Sequence, residues 1–251
     1  MCGIVGMIRL DGSPIDSSAL ECLTDALAHR GPDGRGTHVA GNVGLGHRRL
    51  AILDLTESAA QPMVGRGGCT LVFNGEIYNF AEERARLQAK GAMFRSTGDT
   101  EVLLKMYEDE GPACVASLRG MFAFAVHDPK RNILFLARDR FGKKPLKYFR
   151  NGSTFAFASE LKALRALPEC PRGFDRAAVL RTLTLMYVPA PDTGFEGIRK
   201  LPAAHTLTLD LATGTETIER YWSPPVPRLV ERSEREWIER IDAAFTEAVR
   251  V

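Results

Sequence analysis

Met121-Phe-Ala-Phe-Ala-Val-His127, a Pro129-Lys-Arg131 turn and Ile133-Leu-Phe-Leu-Ala-Arg138 decide the fold. The two apolar runs predict a hairpin over Gly120 to Asp128 and Asn132 to Asp139, and neither strand has a polar face. A strand without a polar side has to be covered on both sides, so the hairpin belongs inside a stack with at least two packed sheet layers. Upstream, Cys69 to Phe73 reads as a strand running straight into Asn74-Gly75. Phe80 to Lys90 reads as a helix closed by Gly91, and a second helix opens at Asp99 or Thr100 and stops at Gly111-Pro112. Cys2 to Leu10 is a buried strand by its β-branched content. A helix capped by Asp16 or Ser17 follows, with Leu20, Leu23, Leu27 and Ala28 on one face, until Arg30-Gly31-Pro32-Asp33-Gly34 stops it. Thr37 to Leu55 holds two or three strand-like pieces.

Downstream, Leu146 to Phe149 and Thr154 to Ala158 form a hairpin around Asn151-Gly152, and a short helix covers Glu160 to Leu167. Past residue 170 come a helix (Arg176 to Met186), a bend at Val188-Pro-Ala-Pro191 and strands at Thr206 to Leu211 and Thr217 to Trp222. The proline linker Pro224-Pro-Val-Pro227 leads to an amphipathic helix from Ser233 to Val251, opened by the capping-box spacing of Ser233 and Glu236. Trp237, Ile241, Ala244, Phe245, Ala248 and Val249 share its apolar stripe.

The 251 residues carry 33 Lys and Arg against 31 Asp and Glu, a net charge of +2 with the signs interspersed. No electrostatic footprint for a nucleic acid or an anionic membrane follows from that pattern. No apolar run approaches the roughly 18 residues of a membrane span, and Met1 to Gly6 lacks the form of a signal peptide, so the expected address is the cytoplasm. Cys2, Cys22, Cys69, Cys114 and Cys170 are odd in number and widely spaced. That spacing argues against a disulfide framework and a zinc site, and no metal or cofactor is expected in this chain.

Three groups of residues can carry chemistry. Removal of Met1 before so small a residue leaves Cys2 with a thiol and an α-amine on the same residue, a nucleophile with its own base. The plainer alternative is a small apolar residue in a buried strand. Asn74 and Gly75, if just past a strand end, can aim a side-chain amide and a backbone N–H at one oxygen, as an oxyanion hole requires; they also suit an ordinary Asn-Gly turn. Arg49, Glu76 and Asp99 together could grip the carboxylate and ammonium of a free amino acid. Singly, Asp99 suits a helix N-cap and Arg49 a surface ion pair.

The order of Met-Cys-Gly-Ile-Val-Gly at residues 1–6, His29-Arg-Gly-Pro-Asp33, His47-Arg-Arg-Leu-Ala-Ile52, Asn74-Gly-Glu-Ile-Tyr-Asn79, Gly98-Asp-Thr-Glu101 and Arg138-Asp-Arg-Phe-Gly-Lys-Lys-Pro-Leu146 resembles the glutaminase half of glutamine-hydrolysing asparagine synthetases, class II glutamine amidotransferases. The resemblance implies an α+β fold, the four-layer αββα sandwich of N-terminal-nucleophile hydrolases with two antiparallel sheets. It implies Cys2 as nucleophile, Asn74 and Gly75 as oxyanion hole, Arg49 as carboxylate anchor, Glu76 and Asp99 as ammonium contacts, and the Arg49 to Ile52 backbone as pocket wall. L-Glutamine is the implied substrate, hydrolysed through a γ-glutamyl thioester. Residues 1–222 are expected to form the glutaminase domain, and 223–251 a linker and the start of a helix leading to an ATP-pyrophosphatase synthetase domain or partner protein.

Two departures stand out. Lys147 precedes Tyr148 where the family has a Tyr pair, and no Ser-Gly-Gly-x-Asp-Ser phosphate loop occurs, so ATP and Mg²⁺ belong only to the absent synthetase part. Rival readings are a glutaminase serving another acceptor, such as a sugar phosphate, a surface sugar or a natural product, and a catalytically silent glutamine-binding module. The exposed stripe of the last helix suits a synthetase partner or, failing that, a homodimer.

Overall fold

The computed structural model describes residues 1–226 and 230–250. Pro227 and Val251, the last residues of the expected proline linker and terminal helix, lie outside them. In chain order the first strand is β1 (Gly3–Arg9), followed by α1 (Ser17–Asp25), β2 (Gly34–Ala40), β3 (Val43–Arg49), the two-residue β4 (Met63–Val64) and β5 (Thr70–Ile77). Next come α2 (Phe80–Ala89), α3 (Asp99–Glu110), β6 (Gly120–Asp128), β7 (Ile133–Arg138), β8 (Lys147–Asn151), β9 (Thr154–Ala158) and the short α4 (Leu161–Leu164). The chain continues through α5 (Arg176–Leu185), β10 (Ile198–Lys200), β11 (His205–Asp210), β12 (Glu216–Arg220) and α6 (Glu234–Arg250).

The strands form two six-stranded sheets, ordered β10-β8-β9-β1-β3-β2 and β12-β11-β7-β6-β5-β4. Every pairing within them is antiparallel. Alternation along the strands sends one set of side chains between the sheets and the other toward helices. Ile4, Ile8, Leu45, Val72, Ala125, Leu136, Phe155 and Phe157 fill the space between the sheets. Val5, Met7 and Phe149 pack with Leu20, Leu23 and Leu164 of α1 and α4, whereas Leu71, Phe73, Phe122 and Phe124 pack with Val102, Leu103 and Met106 of α3. The result is the four-layer α+β sandwich, and the doubly buried hairpin is β6 and β7 at its heart.

His47 ties the layers together. It sits on β3 in one sheet, and its Nε2 lies 3.1 Å from the carbonyl oxygen of Phe73 on β5 in the other. A carbonyl only accepts, so the ring donates from Nε2. Full burial pushes its pKa down to about 4.

Several boundaries differ from the sequence reading. The strand expected to stop at Phe73 continues through Asn74, Gly75 and Glu76, because β6 pairs with it down to Ile77 opposite Gly120. The helix expected to reach Ala28 ends at Asp25, and Ala28–Arg30 forms a separate tight turn. That turn brings Gly31 so close to β3 that a Cβ there would lie 2.3 Å from the Arg48 carbonyl. The caps agree better. Asp16 accepts from the Ser18 N–H at 2.9 Å, and Ser233 and Glu236 exchange the two bonds of a capping box.

α6 buries none of its residues; Ile241, Phe245 and Val249 are 64%, 69% and 72% exposed. Core and stripe should therefore respond very differently to truncation. Phe157→Ala, between the sheets, is expected to lower unfolding free energy by about 3–5 kcal/mol, and Phe245→Ser to leave it within about 0.5 kcal/mol. Urea unfolding followed by circular dichroism measures both, and a Phe245→Ser loss as large as that of Phe157→Ala would mean that α6 packs on its own domain.

Candidate active site

One cleft opens where the start of β1, the end of β3, the end of β5 and the first turn of α3 meet. Cys2, Arg49, Ile52, Gly75, Glu76 and Asp99 line it, together with Leu50, Gln61, Gly98 and Thr100. Six of the seven residues singled out from sequence thus line one cleft. The seventh, Asn74, lies beside Gly75 on β5, 1% exposed, with its Nδ2 buried and unpaired. A buried amide without a protein partner is costly, and this one keeps its donor available beside the cleft.

Cys2 is fixed from two sides. The Leu50 N–H points at its Sγ from 3.4 Å, and the Leu50 carbonyl lies 3.6 Å from the same sulfur. Arg30 donates from Nε to the Cys2 carbonyl at 2.9 Å and from Nη1 to Glu160 at 2.7 Å. Burial pushes the thiol pKa up, opposed by the N–H of Leu50, the nearby amino terminus and Arg49. Asp33 accepts from the Ala51 N–H at 2.9 Å, pinning the segment after β3 against the cysteine. The His29 to Asp33 motif therefore supplies two supports, Arg30 and Asp33, whose positions near Cys2 no local pattern indicates.

The Arg49 guanidinium does not float in the cleft. It donates to the carbonyls of Thr56 at 3.0 Å, of Leu53 at 3.5 Å and of Asp54, curling the chain after β3 around itself. Gly98, not Asp99, occupies the cap position of α3, and Asp99 is the first helical residue. Its carboxylate accepts from the Ile77 N–H at 2.9 Å, joining α3 to the end of β5.

Both acids are pushed above the ordinary carboxylate range. Burial pushes Asp99 up to about 6 against the bonds from Ile77 and its own helix turn. Burial and then the charge of Asp99 push Glu76 up to about 7, relieved in part by Lys144. Lys144 is buried in the loop after β7, and Asp139 gathers that loop by accepting from the N–H groups of Phe122, Phe141, Lys143 and Lys144. The Arg138 to Leu146 motif thus reaches the cleft through one lysine's charge. Lys147, the departure from the family pattern, donates from Nζ to the Ser159 carbonyl at 2.9 Å, and burial pushes it down to about 8. Among the described residues no cluster of His, Cys, Asp and Glu could hold a metal ion.

A double-sheet sandwich with a cysteine at the start of a central strand defines an N-terminal-nucleophile hydrolase fold. The B. subtilis glutamine phosphoribosylpyrophosphate amidotransferase structure superposes on 89% of this chain and 50% of that one, at a TM-score of 0.66 and 19% identity, which establishes the shared fold. The family model for the glutamine amidotransferase domain matches residues 1–222, and the chain belongs to that family. Its sequence is 41% identical over 228 residues to the glutamine-hydrolysing asparagine synthetase 3 of Bacillus subtilis, covering 89% of this chain and 37% of that protein. A putative asparagine synthetase of Methanocaldococcus jannaschii is 36% identical over 247 residues, covering 90% of this chain and 47% of that one. The chain thus spans less than half the length of these relatives.

The coupling of the acids is directly measurable. Glu76 should titrate with a midpoint near 7 in carboxyl carbon NMR, and Asp99→Asn, which removes the neighbouring charge, should move that midpoint downward. A wild-type midpoint at the ordinary glutamate value of 4.5 would overturn the account.

Proposed function

We propose that the chain hydrolyses the side-chain amide of L-glutamine through a thioester on Cys2. Its ammonia would serve an ATP-dependent domain or partner protein of the asparagine synthetase type. The observation that carries this reading is the unpaired, buried Asn74 amide next to a cleft holding the Cys2 thiol and, with it, one guanidinium and two carboxyl groups.

In this reading Met1 is removed and the α-amine passes to Cys2, where it takes the thiol proton directly or through a water. The thiolate attacks the amide carbon of glutamine. Asn74 Nδ2 and the Gly75 N–H donate to the oxygen as it gains charge. The protonated amine returns its proton to the departing nitrogen, ammonia leaves, and water cleaves the thioester to give glutamate and the free thiol. Arg49 pairs with the substrate carboxylate, Glu76 and Asp99 with its ammonium, and Ile52 closes the wall. An ammonium between the two acids restores both charges, so substrate grip should strengthen as pH rises through about 6 to 7, where they ionise.

Residues 1–222 act as the glutaminase, and 223–251 as a linker and first helix toward the synthetase part, which supplies ATP and Mg²⁺ chemistry. The exposed stripe of α6 supports this, as do synthetase relatives more than twice the aligned length. Among the described residues no helix is long and apolar enough to cross a membrane. All five cysteines are free, which suits a reducing cytoplasm.

Treatment with a diazoketone analogue of glutamine should add one adduct by intact mass, mapped to Cys2. Asn74→Ala should lower kcat by roughly 10²–10³ with little change in KM, since the oxyanion exists mainly in the transition state. Labelling at another cysteine, or an Asn74→Ala variant with normal kcat and weakened binding, would overturn these assignments.

The division of labour is tested separately. Given aspartate, ATP and Mg²⁺, the chain alone should release glutamate from glutamine but form no asparagine. Asparagine formed without added protein would defeat the partner requirement. Light scattering before and after truncation at residue 222 tells a self-associating stripe from one reserved for a synthetase.

A further inference from the structure

The chain after β3 is an exposed wall of the cleft: Ile52 and Leu53, which line it, are 62% and 39% exposed, and Arg49 holds that wall only through the wall's own carbonyls. The opposite wall, just before Asp99, is fixed independently. Arg84 on α2 donates to the carbonyls of Ser96 and Gly98, each at 2.9 Å, and Glu101 on α3 accepts from the Ser96 N–H and hydroxyl, each at 2.7 Å. Asp54 spans the two walls. One carboxylate oxygen accepts from the Thr97 N–H at 2.6 Å, and the other from the Thr56 N–H at 3.1 Å and hydroxyl at 2.5 Å. Its backbone carbonyl accepts from Arg49.

We infer that Asp54 is a positioning residue, a latch that fastens the Arg49 and Ile52 wall to the fixed Asp99 wall and so sets the spacing at which the two ends of an amino acid are gripped. The inference rests on the reading of the cleft proposed above. Asp54 adopts φ +49°, a left-handed conformation that Asp and Asn tolerate through a bond from their side chain to the backbone two residues on. That conformation turns the Asp54 carbonyl toward Arg49 while the side chain reaches Thr97, so a single residue orients the guanidinium and joins the walls. Gly98 lies against it, where an added Cβ would stand 3.5 Å from that of Asp54. The Thr56 hydroxyl and the Thr97 N–H hold the carboxyl below the usual carboxylate range, so the latch stays charged throughout the pH range in which Glu76 and Asp99 ionise.

Asp54→Asn separates latch from turn. An asparagine keeps an oxygen for Thr56 and tolerates the same backbone, but sets an NH₂ against the Thr97 N–H, donor facing donor. In a Cys2→Ala background, calorimetric titration with L-glutamine should show about tenfold weaker binding for Asp54→Asn, the loss expected for one charge-assisted hydrogen bond. With Cys2 present, KM should rise by a similar factor at unchanged kcat, and alkylation of Cys2 by iodoacetamide, which needs no amino-acid grip, should keep its wild-type rate. Unchanged glutamine affinity, or a fall in kcat at constant KM, would overturn the latch. A wild-type chain that binds glutamine without hydrolysing it would sink the proposed activity while leaving the latch open to the same titration. Hydrogen exchange needs no variant: Thr97 sits in an exposed loop, yet its amide should exchange slowly in the unliganded protein, and fast exchange there would overturn the latch directly.

Discussion

The apolar layer between the two sheets is the constraint on which everything else hangs. Strands apolar on both faces cannot end at a surface, so the β6 and β7 hairpin forces a sheet on one side and helices on the other. With that layer closed, the start of β1 in one sheet and the end of β5 in the other face each other across the sandwich. Cys2 and the 74–76 segment, seventy residues apart in sequence, meet because Ile4 and Val72 pack into the same core. The chemistry sits at the rim of an interior built for packing.

Rim placement explains the electrostatics as well. A fully solvated cleft would leave its acids at ordinary pKa values, whereas a fully dry one would keep them neutral. Glu76 and Asp99 sit between those limits, and Glu76 also feels the charge of Asp99, softened by Lys144. Asn74 lies a step deeper, with its amide donor buried and without a protein partner. Depth below the surface thus grades the residues: Arg49 and Glu76 are half-buried, and Asp99 and Asn74 are buried behind them.

Much of this was legible in the sequence. The helices begin and end close to where capping residues and glycines put them, because caps are local chemistry. What stayed hidden is non-local. An Asn-Gly pair signals a turn, yet Asn74 and Gly75 lie within a strand because β6 supplies a ladder beyond them. The three-residue β10 has too little pattern to see and exists only because β8 offers an edge. In the cleft, residue type brought six positions forward, and the family resemblance supported the same six and added Ile52. They did not disclose that Arg49 is engaged by its own loop, that Gly98 rather than Asp99 caps α3, or that Arg30 supports the cysteine backbone. Each of those depends on which carbonyl lies within reach, and that is decided by the fold.

The imidazole lodged between the sheets carries a cost that appears only in acid. In an unfolded chain His47 would take up a proton near its ordinary value of 6.5, whereas in place it refuses one until about 4. Between those values the unfolded chain binds a proton that the folded one does not, so acidification draws the equilibrium toward unfolding until the buried ring itself is charged. Glu76 and Asp99 act in the opposite sense: burial raises both above their unfolded values, so they favour the folded state on the acid side and penalise it as the pH rises through about 6 to 7. The strut that joins the sheets and the acids at their rim therefore oppose each other over mildly acidic pH. The chain's tolerance of acid there is a difference between two proton affinities, and replacing either partner would tilt it.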